Sequence, residues 1–154
     1  MDEPELTVRR IREGTVIDHI DAGRGLRVLS ARGIDGQEGR TVTVALNVPS
    51  AKHGKKDIIK VEGVMLRDDD TSKLAVIAPR ATVNIVRDYR LVEKRRASLP
   101  DAIERIFMCT NPDCVTNSGE PIESVMDVID RDGRVLKCRY CDRILDNERL
   151  RYRG

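Results

Sequence analysis

Four cysteines constrain this chain more than any other feature. They are Cys109, Cys114, Cys138 and Cys141, and none of the first 108 residues is a cysteine. Their pattern is C-x4-C, a 23-residue spacer and C-x2-C. Zinc prefers four thiolates in a tetrahedron, and each short spacing lets a tight turn present two sulfurs to one ion. Asn111, Pro112 and Asp113 are turn formers inside the first pair; Arg139 and Tyr140 fill the second, with Lys137 beside it. Cationic side chains and backbone amides there are expected to offset the negative charge of a Zn(Cys)4 centre. The alternatives are two disulfides, four ordinary buried thiols, or a redox C-x2-C motif. The last would need a βαβ context and would leave the other pair without a role. With all four positions taken by Cys, no coordination site stays open for water. One structural zinc ion per chain is therefore expected, not a catalytic one.

The segment that carries the cysteines also needs such a staple. Residues 102–154 hold only Phe107, Tyr140 and Tyr152 as aromatics, too few for a comfortable core of their own. A structural zinc site contributes roughly 10–16 kcal/mol of apparent binding energy to folding. The rest of the 154-residue chain is long enough for a second domain. The boundary is expected at 98–101, with one domain at 1–97 and the cysteine domain at 102–154.

Hydrophobic patterning of the first part alternates between strand and helix. TVIDHI (15–20) reads as a strand, and Ala22 to Ile34 as a helix weakened at its start by Gly23 and Gly25 and closed by Gly33. RTVTVALNVP (40–49) has the clearest strand character, with Val42, Val44, Leu46 and Val48 expected on one face. DIIKVEGVML (57–66) completes a hairpin with it. RDDDTSKLAVIAP (67–79) begins with acids suited to a helix N-terminus and is stopped by Pro79. ATVNIVRDYRLVEKR (81–95) reads as a strand pair or one bent strand. Strand–helix–strand–strand–helix–strand is a ferredoxin-like α+β layout, an antiparallel sheet with helices on one face. RASLPDAIERIF (96–107) reads as a linker or the start of a helix. The cysteine domain reads as a small zinc-ribbon-like β domain, with Asp132-Gly133 as a hairpin turn between 125–129 and 134–138.

Several classes of function find no support. Lys plus Arg is 28 and Asp plus Glu is 26, a near-balance that argues against a nucleic-acid coat. In residues 102–154, nine basic residues face ten acidic ones, a net of −1 and poor footing for a zinc ribbon on a phosphate backbone. One Phe, three Tyr and no Trp make base-stacking platforms scarce. No partner nucleic acid is expected. No apolar run approaches about 18 residues, so no membrane span is expected, and the start MDEPELTVRR lacks the pattern of a signal peptide. A cytoplasmic protein with reduced thiols follows as the expectation. There is no nucleophile elbow, P-loop or dinucleotide fingerprint, so no enzymatic activity is expected. Asp68-Asp69-Asp70 reads as a solvated helix start in preference to a magnesium site. Lys52, His53, Lys55, Lys56 and Lys60 lie within nine residues, and Lys94, Arg95 and Arg96 close the last strand. Composition alone favours a solvated basic loop; a converging cluster would neutralise a triphosphate.

Particular strings carry more. GTVIDHI (14–20), LNVPS (46–50), GKKDIIKVEG (54–63), APRATVNIVRDYRLVEK (78–94), SLPDAIERIFMC (98–109), NPDC and CRYC occur in order. Together they closely resemble the regulatory chain of aspartate carbamoyltransferase, from about residue 6 to the second cysteine pair. The resemblance implies a non-catalytic chain that forms a homodimer through its N-terminal domain. It implies a dodecamer in which three such dimers bridge two catalytic trimers through the zinc domains. It implies feedback control of pyrimidine biosynthesis, with CTP and UTP inhibiting and ATP activating. The family's nucleotide site falls on Asp18 and His19, near sugar and phosphate; on Lys60, near sugar or base; and on Asn84, Val86, Tyr89 and Leu91, a strand whose backbone reads the base. Lys94 and Lys56 fall on phosphate-binding positions, and Ile11 and Val16 on the pocket lining. Arg10 stands where the family often has a small residue, so that it would narrow the pocket or add a phosphate contact. A bridging chain that keeps the assembly role without effector response is the alternative, with a zinc-ribbon nucleic-acid-binding protein behind it.

Overall fold

The computed structural model describes residues 10–51, 54–66, 68–130, 135–146 and 151–152. Its contacts divide the chain into two compact units. One comprises Met1–Arg67 and Arg80–Arg96, the other Asp68–Pro79 and Ala97–Gly154.

The first unit is built on five antiparallel strands: β1 (Gly14–Asp21), β2 (Val42–Ser50), β3 (Gly54–Glu62), β4 (Thr82–Arg87) and β5 (Arg90–Arg96). Their order in the sheet is β2-β3-β1-β4-β5. The first four strands follow the ferredoxin-like order, and β5 folds back as an edge beside β4. Helix α1 (Gly25–Ala31) lies between β1 and β2 and packs against β2 and β3. Strand alternation sorts the central strands cleanly. Thr15, Ile17, Ile59, Val61, Val83 and Ile85 are buried, whereas Val16, Asp18, Lys60, Asn84 and Val86 are half-buried. Residues paired across antiparallel strands share a face. One face of the sheet is therefore core, and the other is open and polar.

Two bulges break the alternation. In β2 the register with β3 shifts between Ala45 and Val48, where Asn47 has φ 58°. The expected common face of Val42, Val44, Leu46 and Val48 is corrected here. Val42 and Val44 pair with the core residues Val61 and Ile59, Leu46 is exposed, and Val48 pairs with Lys56 on the open face. In β1 the register shifts between Ile17 and Ile20, where His19 has φ 57°. The extra residue returns Ile20 to the core, fully buried.

Asp57, fully buried on β3, ties these irregularities together. Its carboxylate accepts the backbone N–H of Gly23 ahead of α1, of Gly25 at its first position and of Asn47 in the β2 bulge, at 2.9, 2.8 and 2.8 Å. Gly25 must approach this closely: a Cβ there would lie 3.1 Å from the carboxylate and 2.9 Å from Leu46 Cδ2.

The second unit contains α2 (Asp68–Ile77) and six short strands: β6 (Ala102–Glu104), β7 (Phe107–Met108), β8 (Val125–Val128), β9 (Val135–Cys138), β10 (Ile144–Asp146) and β11 (Arg151–Tyr152). Helix α2 ends at Ile77, two residues before Pro79, as a proline stop requires. Its contacts place it with this unit, although in sequence it lies among the strands of the first. The strands form one sheet of order β10-β9-β8-β6 and a β11-β7 pair. Residues 97–101 take no regular structure, and β6 follows where the sequence allowed a helix. The expected Asp132-Gly133 turn lies outside the described residues. Phe107, Met126 and Leu136 are fully buried, and Ile103, Leu145 and Val76 of α2 join them around three of the cysteines. One fully buried ring, Phe107, and one thioether, Met126, make a thin core, which agrees with the staple argument from composition.

Candidate metal centre and effector face

The cysteine ladder positions explain the metal centre. Cys109 follows β7 directly, and Cys138 ends β9 in register with Met126 of β8, which itself pairs with Ile103 of β6. Cys138 is thereby locked into the buried face of the sheet. The first knuckle is an Asx turn in which the Asp113 N–H donates to Asn111 Oδ1 at 3.0 Å, while the Cys114 N–H donates to the Asn111 carbonyl. Asn117 Nδ2 clamps the loop by donating to the carbonyls of Cys109 and Asn111, at 2.9 and 2.8 Å. In the second knuckle the Asp142 N–H donates back to the Cys138 carbonyl and Asp142 takes φ 63°.

These turns bring all four sulfurs within 4.8 Å of one another. Cys109 and Cys141 are 3.6 Å apart, and Cys114 and Cys138 are 3.7 Å apart. Four thiolates at about 2.3 Å from one central ion would sit about 3.8 Å from each other. The separation is far beyond an S–S bond of about 2.0 Å, and all four cysteines are free thiols. The donor set and its spacing fit a tetrahedral thiophilic ion, and the disulfide reading fails. Burial pushes the Cys109 thiol up to about 12 and raises that of Cys138. At Cys141 burial acts the same way, but the Arg143 amide and the Asn111 side chain outweigh it and bring the thiol down to about 7. Protonated thiols at such values need a cation to ionise together. The sequence reading gave part of that task to cationic side chains. Lys137 and Arg139 are paired with Asp142 and Asp127, at 3.3 and 2.6 Å. Backbone amides face the sulfurs as expected: the Asn111 N–H donates to Cys109 Sγ at 3.5 Å.

The open face of the first sheet gathers most of the other residues singled out by sequence. Lys60, Val16, Asn84 and Lys94 are paired in one continuous row across β3, β1, β4 and β5. Asn84 Nδ2 donates to the Val16 carbonyl at 3.3 Å within that row. Two residues along β1 comes Asp18, whose carboxylate is 3.0 Å from Lys56 Nζ and accepts the His19 N–H at 2.6 Å. The β1 bulge turns the His19 ring toward Thr82, with Nδ1 3.2 Å from Oγ1, and Thr82 is the ladder partner of Asp18. Burial works to raise the Asp18 carboxyl, but the Lys56 ammonium and the His19 amide and ring hold it below its usual value. A lowered carboxyl stabilises the fold above its unfolded value near 4, and that contribution fades as pH falls through the folded value.

In the other direction along β1 the row turns apolar. Gly14 pairs with Val86, and Val86 with Leu91. Ile11 is buried just ahead of β1. Tyr89 sits in the β4–β5 hairpin at φ 62°, half exposed; its N–H donates to the Arg12 carbonyl and its own carbonyl accepts from Arg10 Nη2 at 3.2 Å. Lys52 and His53 lie outside the described residues. Thr82 and Gly14 belong to this surface and were not singled out. Gly14 had a signal, a glycine opening a β-branched run. A cavity of about 260 Å3 lies elsewhere, between the 32–40 loop and the β2–β3 pair, and holds none of the expected site residues. Among the described residues no helix is long and apolar enough to cross a membrane.

Comparison with known proteins covers both units. The family model described as the aspartate carbamoyltransferase regulatory chain, allosteric domain, matches residues 6–98. The one described as the metal binding domain of the same chain matches residues 101–151. The sequence is 72% identical over 152 residues to a protein of Cenarchaeum symbiosum named aspartate carbamoyltransferase regulatory chain, covering 99% of both chains. It is 68% identical, with the same coverage, to one of that name from Nitrosopumilus maritimus. It is 53% identical, again over 99% of both, to another from Methanothrix thermoacetophila.

Proposed function

Because the chain belongs to the family of aspartate carbamoyltransferase regulatory chains, with an allosteric and a metal-binding domain, we propose that it reads nucleoside triphosphates on the open face of its first sheet and relays their presence to catalytic chains. It is a regulatory chain, not a catalytic one. The observation that carries the reading is the Lys60–Val16–Asn84–Lys94 row, cationic at both edges and flanked by His19, Asp18 and Lys56 at one end.

The layout suits an elongated anion with an apolar head. From Asp18 to Gly14 is four residues of strand, about 13 Å at ~3.3 Å per residue, which is the length scale of a nucleoside triphosphate. Phosphates fall among Lys56, Lys60, Lys94 and His19, where charge-assisted hydrogen bonds are strongest. The sugar sits over Val16 and Asn84. The base rests at the Gly14, Val86 and Leu91 end, beside Ile11 and Tyr89. A triphosphate competes with Asp18 for Lys56, so binding trades one ion pair for another.

CTP and UTP as inhibitors and ATP as activator are the effectors of this reading, in feedback control of pyrimidine biosynthesis in the cytoplasm. Residues 1–97 serve as the allosteric domain and form the homodimer, 98–101 as the linker, and 102–154 as the domain that contacts the catalytic chain in a dodecamer of two catalytic trimers and three regulatory dimers. The metal is zinc, one structural ion per chain, held by Cys109, Cys114, Cys138 and Cys141. An effector shifts such an assembly only by binding its two states with different affinity.

Calorimetric titration of the metal-loaded chain with CTP and ATP in turn tests this. Saturable, mutually competitive binding, weakened at least tenfold in Lys60→Ala, is expected. No binding of either nucleotide, by the chain or by its complex with catalytic trimers, leaves a bridging chain without effector response.

A further inference from the structure

Ser98 has no part in the metal centre or in the row on the open face, yet its setting in the sequence is unusual. It follows Arg95, Arg96 and Ala97 directly. No other Ser or Thr of the chain has two basic residues among the three before it. Between Glu93 and Asp101 there is no acid, so residues 94–100 carry the cations Lys94, Arg95 and Arg96 and no anion. The structure presents this string as an exposed, extended segment. β5 is an edge strand of its sheet and ends at Arg96. Residues 97–101 follow without regular structure. Exposure alternates through the junction: Lys94, Arg96 and Ser98 are exposed, Arg95 is half-buried and Ala97 is buried.

A serine hydroxyl accepts a phosphoryl group only where it can reach a kinase's catalytic centre, which takes its substrate as extended chain. Ser98 meets that condition without local unfolding, because no helix or strand holds it. Two residues of extended chain span about 6.6 Å, so Arg96 and Ser98 point the same way and reach different parts of a groove. A guanidinium docks a carboxylate through two parallel N–H···O bonds. Two guanidiniums in succession therefore select an acidic docking surface, and such charge patterns are how kinases tell substrates apart. Arg95 already makes a bond of this kind, to Glu93 at 2.6 and 3.0 Å. That pair lies at the surface, where an ion pair is weak enough for a kinase carboxylate to replace Glu93.

We propose that Ser98 is a phosphorylation site, recognised through Arg95 and Arg96 by a serine kinase with an acidic substrate groove. Ser98 Oγ attacks the γ-phosphorus of magnesium-bound ATP. The Oγ–P bond forms as the bond from that phosphorus to the bridging oxygen breaks; ADP leaves with the electron pair, and the serine proton passes to the kinase's catalytic aspartate. The product carries about −1.5 to −2 charges at pH 7, which cancels most of the positive charge of residues 94–96. A phosphate two residues from an exposed guanidinium pairs with it and orders the chain between them. The inference stands independently of the effector reading.

The test incubates the metal-loaded chain with magnesium ATP and, in turn, two kinase sources. One is the purified catalytic subunit of cyclic-AMP-dependent kinase, which selects paired arginines; the other is a soluble extract of the cells that make the chain. Mass spectrometry of the tryptic peptide containing Ser98 locates the phosphate. Both sources are expected to place one phosphate on Ser98. Ser98→Ala abolishes this labelling, and the double variant Arg95→Ala/Arg96→Ala slows it about tenfold or more. Ser98 and Arg96 are exposed, and circular dichroism of each variant confirms that it is folded before it is assayed. Phosphate found only on other residues overturns the inference, and so does an undiminished rate in the double variant. Labelling by the purified kinase but not by the extract also overturns it, because Ser98 is then accessible but has no enzyme of its own.

Discussion

At the scale of single residues, buried charge decides where the chain bends. Asp57 is a carboxylate with no exposed surface, and it is tolerable there because three amides converge on it. Those amides come from the entry to α1 and from the β2 bulge, 10 to 34 residues from Asp57 in sequence. Removing the carboxylate leaves the buried Gly25 donor and the part-buried Gly23 and Asn47 donors without their acceptor. Asp57→Ala is expected to destabilise the chain by about 3 kcal/mol or more, read as a lower urea midpoint at unchanged slope. A loss under about 1 kcal/mol would show that water replaces the carboxylate. In the sequence Asp57 is only the polar first residue of DIIKVEGVML. Nothing local marks it as a hub, because its partners are main-chain amides, which have no sequence signature. Lys56, Lys60 and Lys94 were visible as cations, but their common face depends on register.

At the scale of elements, the strands were legible because period-2 patterning is a local signal. The bulges were not, because an extra residue is seen only against the partner strand. One consequence is that Val48 leaves the face it would share with Val42 and Val44 and joins Lys56. A second is that His19 turns beside Thr82 and Asp18 while Ile20 stays in the core. Gly14 shows the same dependence on a neighbour. It takes φ 149°, and a Cβ there would fall 2.2 Å from the Val61 carbonyl oxygen of the adjoining strand. Gly14→Ala must push β1 and β3 apart at the end of the row. It is expected to lower stability by about 2 kcal/mol and to weaken nucleotide binding more than tripolyphosphate binding, both measurable on one protein preparation. Wild-type stability in this variant would mean that the strand end yields without strain.

At the scale of the whole molecule, the two units rest on different foundations. The first has a five-stranded sheet with a continuous apolar face. The second has short strands around Phe107, Met126 and Leu136, with three cysteines inside the same cluster. Its cohesion should therefore depend on the metal. Titration of the thiols with a mercurial is expected to release about one zinc ion per chain. Scanning calorimetry of the metal-depleted chain should then lose one of two transitions and keep the other. Two intact transitions after depletion would sink the staple argument, and release of no zinc would assign the site to another thiophilic ion.

The sequence by itself determined the cysteine tetrad, the strand and helix periods, the proline stop after α2 and the family, because each is written in short spacings along the chain. Only the tertiary structure decided that 68–79 pack with the second unit, and that Lys60, Val16, Asn84 and Lys94 form one row. It alone set the Arg10 guanidinium on the Tyr89 carbonyl, 79 residues away. The reason is physical. Periodicity and ligand spacing are properties of neighbours in sequence, whereas register, bulges and main-chain acceptors are chosen by partners that only folding supplies.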